Sequence, residues 1–230
     1  SYANKYKNKE YDDVLNKKIV GLIFLEPSSR TQMSFEAAVK LLGGNTLMLN
    51  IDNSSLKKKE SLEDTIKCIE SYCDLTVIRQ KENLDTIKNC FSKFLINAGD
   101  GLREHPTQAL LDALTIINRK GKIEGLKIAI CGDILHSRVA RSNIYLMNML
   151  GAEVNVISPK TLMPVSIEKL GAKAFTDMKK GLDGCDIVMM LRLQNERMQG
   201  SFLPSKREYY EFFGLSPDKL KFAKNDALIM

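Results

Sequence analysis

Strand-length apolar runs alternate with helix-period segments from one end of this chain to the other, and that alternation restricts the fold more than any other feature. Ile19-Val20-Gly21-Leu22-Ile23-Phe24-Leu25 is a continuous apolar run of strand length. After it, Phe35, Ala38, Val39 and Leu42 fall on one face of a helix expected over 33–42. A second strand is expected near 46–51 and a loop over 52–60. Ser61-Leu62-Glu63-Asp64 then opens a helix carrying Leu62, Ile66, Ile69 and Cys73. A strand over 74–79, a helix near 83–92, a short strand at 94–96 and a flexible loop over 97–101 lead to a helix from Pro106 to Ile117. Residues 118–125 are turn-rich and charged, and beyond them the alternation restarts. Strands are expected at 126–131, 153–157, 172–175, 186–191 and 227–230, with helices over 138–150, 164–170, 177–183, 204–213 and 217–223. Apolar strands separated by helices are those of parallel sheets covered by helices. The expected fold class is α/β, with two parallel-sheet domains at 1–118 and 119–230. Residues 2–16, polar and rich in Tyr and Lys, read as a further helix.

At 230 residues the chain is long enough to bury a real core. Its 44% apolar and 27% charged residues are those of an ordinary globular protein. No apolar run reaches the roughly 18 residues that span a bilayer, and no signal peptide opens the sequence. The five cysteines are scattered and lack C-x-x-C spacing, which reads as reduced thiols in a cytoplasmic protein. With two histidines there is no convincing zinc site. The net charge of +6 raises nucleic acid as a partner. However, much of it lies in Lys-rich stretches such as 5–18 and Lys57-Lys58-Lys59, and apart from Tyr6 and Tyr11 no aromatic residues are interleaved with these for stacking, so nucleic acid is set aside. A basic chain also suits very acidic small substrates.

In open α/β sheets, ligands bind beyond the carboxyl ends of the strands. Those ends deliver, in order, Arg30, Lys58, Arg79, His105, Arg138 and Arg192. Any one of these is more often a solvated loop residue than a ligand. Together, and accompanied by Ser28, Thr31, Ser54, Gln108 and Gln194, they are costly to gather unless an anion neutralises them. The first of them lies in Pro27-Ser28-Ser29-Arg30-Thr31, at a strand-to-helix turn, where free N–H groups and the helix dipole favour an anion. Taken alone, those residues also fit an ordinary Ser/Thr cap with one solvated Arg. The set as a whole points to a site for strongly anionic small molecules, one of them a phosphate, between two α/β halves. Gly132-Asp133-Ile134-Leu135-His136-Ser137 is not G-x-G-x-x-G, and no G-x-x-x-x-G-K-[ST] is present, so dinucleotide and P-loop sites are disfavoured. His136 is assigned to local hydrogen bonding, because Arg138 fits the pattern of cations better.

Four ordered motifs resemble the carbamoyltransferases. Glu26-Pro27-Ser28-Ser29-Arg30-Thr31 is similar to their carbamoyl phosphate motif, usually written with Ser-Thr-Arg-Thr, and Asn97 to Gly101 with His105-Pro106-Thr107-Gln108-Ala109-Leu110-Leu111-Asp112 to their second hallmark. Gly132 to Asn143 and Leu191-Arg192-Leu193-Gln194-Asn195-Glu196-Arg197 resemble the aspartate branch. The resemblance implies a carbamoyl phosphate-binding domain at 1–118, an aspartate-binding domain at 119–230 and an active site in the cleft between them. It implies transfer of the carbamoyl group to L-aspartate, in pyrimidine synthesis, without cofactor or metal. An ornithine-type carbamoyltransferase and a non-catalytic anion-binding homologue are the alternatives; Arg138 and Arg192 have the wrong sign for a cationic acceptor.

Carried over by resemblance, Ser28, Ser29, Arg30 and Thr31 hold the phosphate. Thr31, Arg79 and His105 polarise the carbamoyl carbonyl, and Gln108 orients its amide. Arg138, Arg192 and Gln194 bind the carboxylates of aspartate. Ser54 and the catalytic Lys58, which also contacts aspartate, match a loop that acts in trans, in the neighbouring subunit of a homotrimer. Lys59 stands where the family usually has Gly, which removes backbone freedom from that loop. The chain opens without Met and stops on Ala227-Leu228-Ile229-Met230, and is expected to be incomplete at both ends, short of a His-Pro-Gly-Pro loop and closing helices.

Overall fold

The computed structural model describes residues 12–49, 60–194 and 205–230. Within the chain two compact units are found, Ser1–Gly101 and Leu102–Met230. Family-like motifs aside, the helix that opens at Pro106 therefore packs with the second unit.

The first unit holds a four-stranded sheet, ordered β2-β1-β3-β4, built from β1 (Ile19–Phe24), β2 (Asn45–Met48), β3 (Leu75–Gln80) and β4 (Phe94–Asp100). All three pairings are parallel. Helix α1 (Ser29–Leu41) follows β1, and α2 (Leu62–Tyr72) precedes β3. Alternate residues of β1 explain the continuous apolar run. Val20, Leu22 and Phe24 pack in one cluster with Val39 of α1, and Ile23 packs in another with Ile66 and Ile69 of α2. Gly21 is small for a reason: a Cβ there would meet Cys73 Sγ at 3.0 Å and Ile69 Cγ2 at 3.1 Å. Ser61 caps α2, its Oγ accepting from the Asp64 backbone N–H at 3.0 Å.

The second unit holds a five-stranded sheet, ordered β7-β6-β5-β8-β9, also parallel throughout. Its elements are α3 (Pro106–Lys120), β5 (Lys127–Cys131), α4 (Arg138–Met149), β6 (Glu153–Ile157), β7 (Ala172–Phe175), α5 (Met178–Leu182), β8 (Ile187–Met190), α6 (Lys206–Phe213), α7 (Pro217–Leu220) and β9 (Leu228–Ile229). Ile128, Ile130, Val154, Val156 and Ile187 pack with residues of α3 and α4. Ala129, Cys131, Ile157 and Val188 pack with residues of α5. Both faces are covered, which is why the strands read as unbroken apolar runs.

Several local expectations are corrected. Helix α1 begins at Ser29, not 33, so the hydroxyl-rich segment is its first turn. Strand β4 runs through the segment 97–100 expected as a loop. Its polar residues satisfy one another there: Asn97 Nδ2 donates to Asp100 Oδ1 at 2.9 Å, and Asn97 Oδ1 accepts from the Gly99 N–H at 2.8 Å. The helix expected near 83–92 is two short 3-10 turns, Leu84–Thr86 and Lys88–Cys90. That over 164–170 is a 3-10 turn, Ile167–Leu170, because Ser166 takes φ 59°. Residues 14–17 form a turn; the rest of the helix expected over 2–16 falls almost wholly outside the described residues, as does the end of the strand expected to 51.

Candidate active site

Each sheet has one place where the chain reverses its order of addition, and four of the sequence-predicted cations, Arg30, Arg79, Arg138 and Arg192, lie at these two places. In the first sheet, β1 lies between β2 and β3. Arg30 stands in the first turn of α1, directly after β1, and Arg79 lies near the end of β3, opposite Phe24 in the parallel register. In the second sheet, β5 lies between β6 and β8. Arg138 opens the helix after β5, and Arg192 and Gln194 follow β8. Switch points of this kind are where open parallel sheets bind ligands.

On the first unit, Ser28 is the N-cap position of α1 but its side chain makes no cap hydrogen bond. Its Oγ donates instead to Thr31 Oγ1 at 2.9 Å. The first-turn amides are thus left for a ligand, beside the exposed Ser29 and Arg30. Arg79 is only 8% exposed. Its Nη1 donates to the Ala98 carbonyl at 3.3 Å and its Nη2 to Glu26 Oε1 at 3.2 Å, which fixes the guanidinium plane. Glu26, the residue that steers Arg79, opens the motif that runs to Thr31 but carries no assigned role in the sequence.

On the second unit, His105 is the buried N-cap residue of α3. Its backbone N–H donates to Ser142 Oγ at 2.8 Å, and Ser142 in turn donates to Glu104. Its Nδ1 lies 3.5 Å from Thr107 Oγ1. Gln108 donates from Nε2 to Asp112 Oδ1 at 2.9 Å, and Asn143 donates to Asp112 Oδ2 at 2.7 Å. Burial pushes the Asp112 carboxyl above its usual range, and these two amides pull it back in part.

Asp133, fully buried, organises the switch point of the second sheet. Its Oδ1 accepts the His136 backbone N–H at 3.2 Å and stands 2.9 Å from His136 Nδ1. Its Oδ2 accepts the Gln194 backbone N–H at 3.1 Å. His136 thus has the local role expected of it. Arg138 is 4% exposed, whereas Arg192 is exposed, its Nη1 donating to the Leu193 carbonyl at 3.3 Å. The loops after β5 and β8 approach closely because Gly132 takes φ +126° and a Cβ there would lie 2.6 Å from the Leu191 carbonyl oxygen. Beside them, Arg192 and Leu193 border a groove of about 550 Å³ with Tyr209, Phe213 and Leu215. Burial first, then the charge of Asp133, pushes the Tyr209 hydroxyl up to about 12.

Ser54 and Lys58 lie outside the described residues. The cations and hydroxyls are legible along the chain, but not the roles of three acidic residues: Glu26, which holds Arg79; Asp112, which holds the Gln108 amide; and Asp133, which holds His136 and the Gln194 backbone. The one signal available was position: Asp112 sits one helical turn after Gln108, and Asp133 follows the glycine at the strand end. Among the described residues, no group of three or more His, Cys, Asp or Glu side chains is gathered to hold a metal ion, and no helix is long and apolar enough to cross a membrane.

Comparison with known proteins bears on the same residues. The family model described as aspartate/ornithine carbamoyltransferase, carbamoyl-P binding domain, matches residues 1–118. The model for the Asp/Orn binding domain matches residues 124–230. The aspartate carbamoyltransferase catalytic subunit of Pelagibacter ubique is 61% identical over 233 residues, covering 99% of this chain and 73% of that protein. That of Parvibaculum lavamentivorans is 56% identical, covering 90% of this chain and 64% of that protein. Among solved structures, aspartate transcarbamoylase from Trypanosoma cruzi in complex with carbamoyl phosphate is similar with a TM-score of 0.87 at 29% identity, covering 99% of this chain and 76% of that one. Ornithine carbamoyltransferase from Pyrococcus furiosus gives 0.85 at 26% identity, covering 100% and 76%. The fold is therefore common to both branches, and the higher sequence identities lie with proteins of the aspartate branch.

Proposed function

Because the chain belongs to the aspartate/ornithine carbamoyltransferase family, we propose that it transfers the carbamoyl group of carbamoyl phosphate to the amine of L-aspartate. The products are N-carbamoyl-L-aspartate and phosphate, a step of de novo pyrimidine biosynthesis. The observation that carries the aspartate reading is the second switch point. Arg138 opens α4 directly after the loop of Asp133, and Asp133 ties that loop to the one that bears Gln194, with Arg192 two residues before Gln194. Guanidinium forks suit the two carboxylates of aspartate, while the side chain of ornithine would bring a like charge to them.

In this reading, phosphate lies at the open first turn of α1 with Ser28, Ser29, Arg30 and Thr31. The neutral amine of aspartate attacks the carbamoyl carbon. The new C–N bond forms, the bond from the carbamoyl carbon to the phosphate oxygen breaks with its electron pair leaving on that oxygen, and the nitrogen gives up a proton to the departing phosphate. Thr31, Arg79 and His105 donate to the oxygen that gains charge in the tetrahedral species. Arg79 suits the task because Glu26 and the Ala98 carbonyl fix it before substrate arrives, so little reorganisation is left for the reaction. Gln108 meets the carbamoyl amide. Lys58 and Ser54 act in trans, from the neighbouring subunit of a homotrimer. The protein works in the cytoplasm, in keeping with five free cysteines.

The test is carbamoyl phosphate offered to the full-length protein with aspartate or with ornithine, the ureido product being measured. Carbamoylation of aspartate alone is expected. Faster carbamoylation of ornithine would overturn the assignment of Arg138 and Arg192.

A further inference from the structure

We propose that Asp112 is a positioning residue: it fixes which atom of the Gln108 amide faces the substrate, and so makes the site select a transferred group that carries an N–H donor. The inference rests on the reading of Gln108 as the residue that meets the carbamoyl amide.

Gln108 lies in the first turn of α3, and Asp112 lies one turn further on, 8% exposed. Gln108 Nε2 donates to Asp112 Oδ1 at 2.9 Å, and Asn143 Nδ2, from α4, donates to Asp112 Oδ2 at 2.7 Å. An ionised carboxylate offers only acceptors, so each of its oxygens must be met by an amide NH2. The end of the Gln108 amide turned away from Asp112 is then Oε1, which is acceptor only. A carbamoyl group presents an NH2 to it; an acetyl group presents a methyl and gains nothing.

A Gln–Asp pair four residues apart on an exposed helix would be local helix support and no more. Here the carboxylate is buried and shared with a second helix. Asn143 is fully buried, and its Oδ1 has no hydrogen-bond partner. Turning the Asn143 amide over would not help, because Oδ1 would then face both the Asp112 carboxylate and the Val139 carbonyl, which Nδ2 now serves at 3.1 Å. Asn143 is therefore locked as a donor, and Asp112 must accept from both sides.

This predicts the effect of Asp112→Asn. Asn143 claims the oxygen of the new amide, whose NH2 falls on Gln108. The Gln108 amide turns to bring Oε1 inward and Nε2 outward, donor against donor, toward the carbamoyl NH2. Affinities of the full-length protein for inorganic phosphate, carbamoyl phosphate and acetyl phosphate, measured by calorimetry, test this. In Asp112→Asn the preference for carbamoyl over acetyl phosphate should shrink about tenfold or more, with phosphate affinity held within about twofold. Adding Asn143→Ala frees the new amide to turn, so the double variant should regain the preference, whereas damage to the fold would deepen. Asp112→Leu, which brings no polar group of its own but leaves Asn143 Nδ2 one acceptor short, frees the Gln108 amide to turn either way; the preference should then weaken, by less than in Asp112→Asn, and this variant serves if Asp112→Asn does not fold.

An unchanged preference in either Asp112 variant with phosphate affinity retained, no recovery in the double variant, or loss of phosphate affinity in both Asp112 variants would overturn the inference. Gln108→Ala separates it from the reading beneath it. An unchanged preference there overturns the role of Gln108 and the inference with it. A collapsed preference there, beside an unchanged one in Asp112→Asn, overturns the inference alone.

Discussion

Gln194 donates its backbone N–H to Asp133 Oδ2 at 3.1 Å, so a carboxylate on the loop after β5 holds the loop after β8. The same carboxylate holds His136 through Nδ1 and the backbone N–H. Asp133→Ala frees both loops and leaves buried N–H groups unmet, a loss of about 1.5–3 kcal/mol for bonds to a charged group. The Michaelis constant for aspartate should rise by on the order of tenfold or more, while carbamoyl phosphate affinity stays near wild type. Steady-state kinetics with each substrate varied in turn would check this; an equal loss for both substrates would count against it.

Arg192 is exposed and directly follows Leu191, whose carbonyl Gly132 admits so closely. An Arg fork binds a carboxylate through two parallel bonds that an ammonium cannot copy. Arg192→Lys should therefore weaken aspartate use far more than carbamoyl phosphate binding. A comparable fall in carbamoyl phosphate affinity, measured directly, would show that Arg192 does not serve the aspartate side.

Glu70 is a stability element away from the site. It is 4% exposed and accepts the Ser92 backbone N–H, the Ser92 hydroxyl and the Lys93 backbone N–H, all within 3.1 Å. Burial works to raise its pKa, yet these bonds together outweigh burial and hold it below the usual 4.5. With the folded value depressed, the stability it contributes is present above the unfolded pKa of about 4.3 and is lost as pH falls through the folded value. Glu70→Gln should cost about 1–3 kcal/mol at neutral pH and less in acid. Urea denaturation at pH 7 and below pH 4 would read the difference; an equal cost at both would contradict it.

The inner strands were legible because both of their faces are covered, so they announce themselves as apolar runs; the edge strand β4 does not. The exception is informative: Asn97 and Asp100 look like loop residues, and only their mutual hydrogen bonding lets β4 continue through them. The start of α1 was missed for a related reason. Ser29, Arg30 and Thr31 carry no apolar period, although they are the turn that leaves its amides open to a ligand. At the site, cations at strand ends could be found by counting along the chain. Glu26, Asp112 and Asp133 could not, since what they do depends on which N–H meets which oxygen. Strand order was equally hidden, because apolar patterning does not say on which side of β1 or β5 the next strand is added.

The last prediction concerns sharing of the site between subunits. Arg30 is fixed in the first turn of α1 by the sheet behind it. Lys58 belongs to the segment Ser54-Ser55-Leu56-Lys57-Lys58-Lys59, which has no apolar residue between Leu56 and Leu62 and three adjacent ammonium groups that repel unless an anion or acidic surface receives them. With the phosphate site of the next subunit as receiver, Arg30→Ala and Lys58→Ala should each lose activity by on the order of a hundredfold or more. Dissociated and mixed, they should complement one another. In a cyclic trimer containing both kinds of chain, one interface pairs the intact Arg30 of one subunit with the intact Lys58 of its neighbour, and another carries both lesions. Random equimolar mixing therefore returns about a quarter of the wild-type sites. A site confined to one chain returns none, because every chain in the mixture carries a lesion. Native mass spectrometry establishes that mixed trimers have formed, and the rate of carbamoyl transfer then decides. Mixed trimers as inactive as their parents would rule out sharing through Lys58.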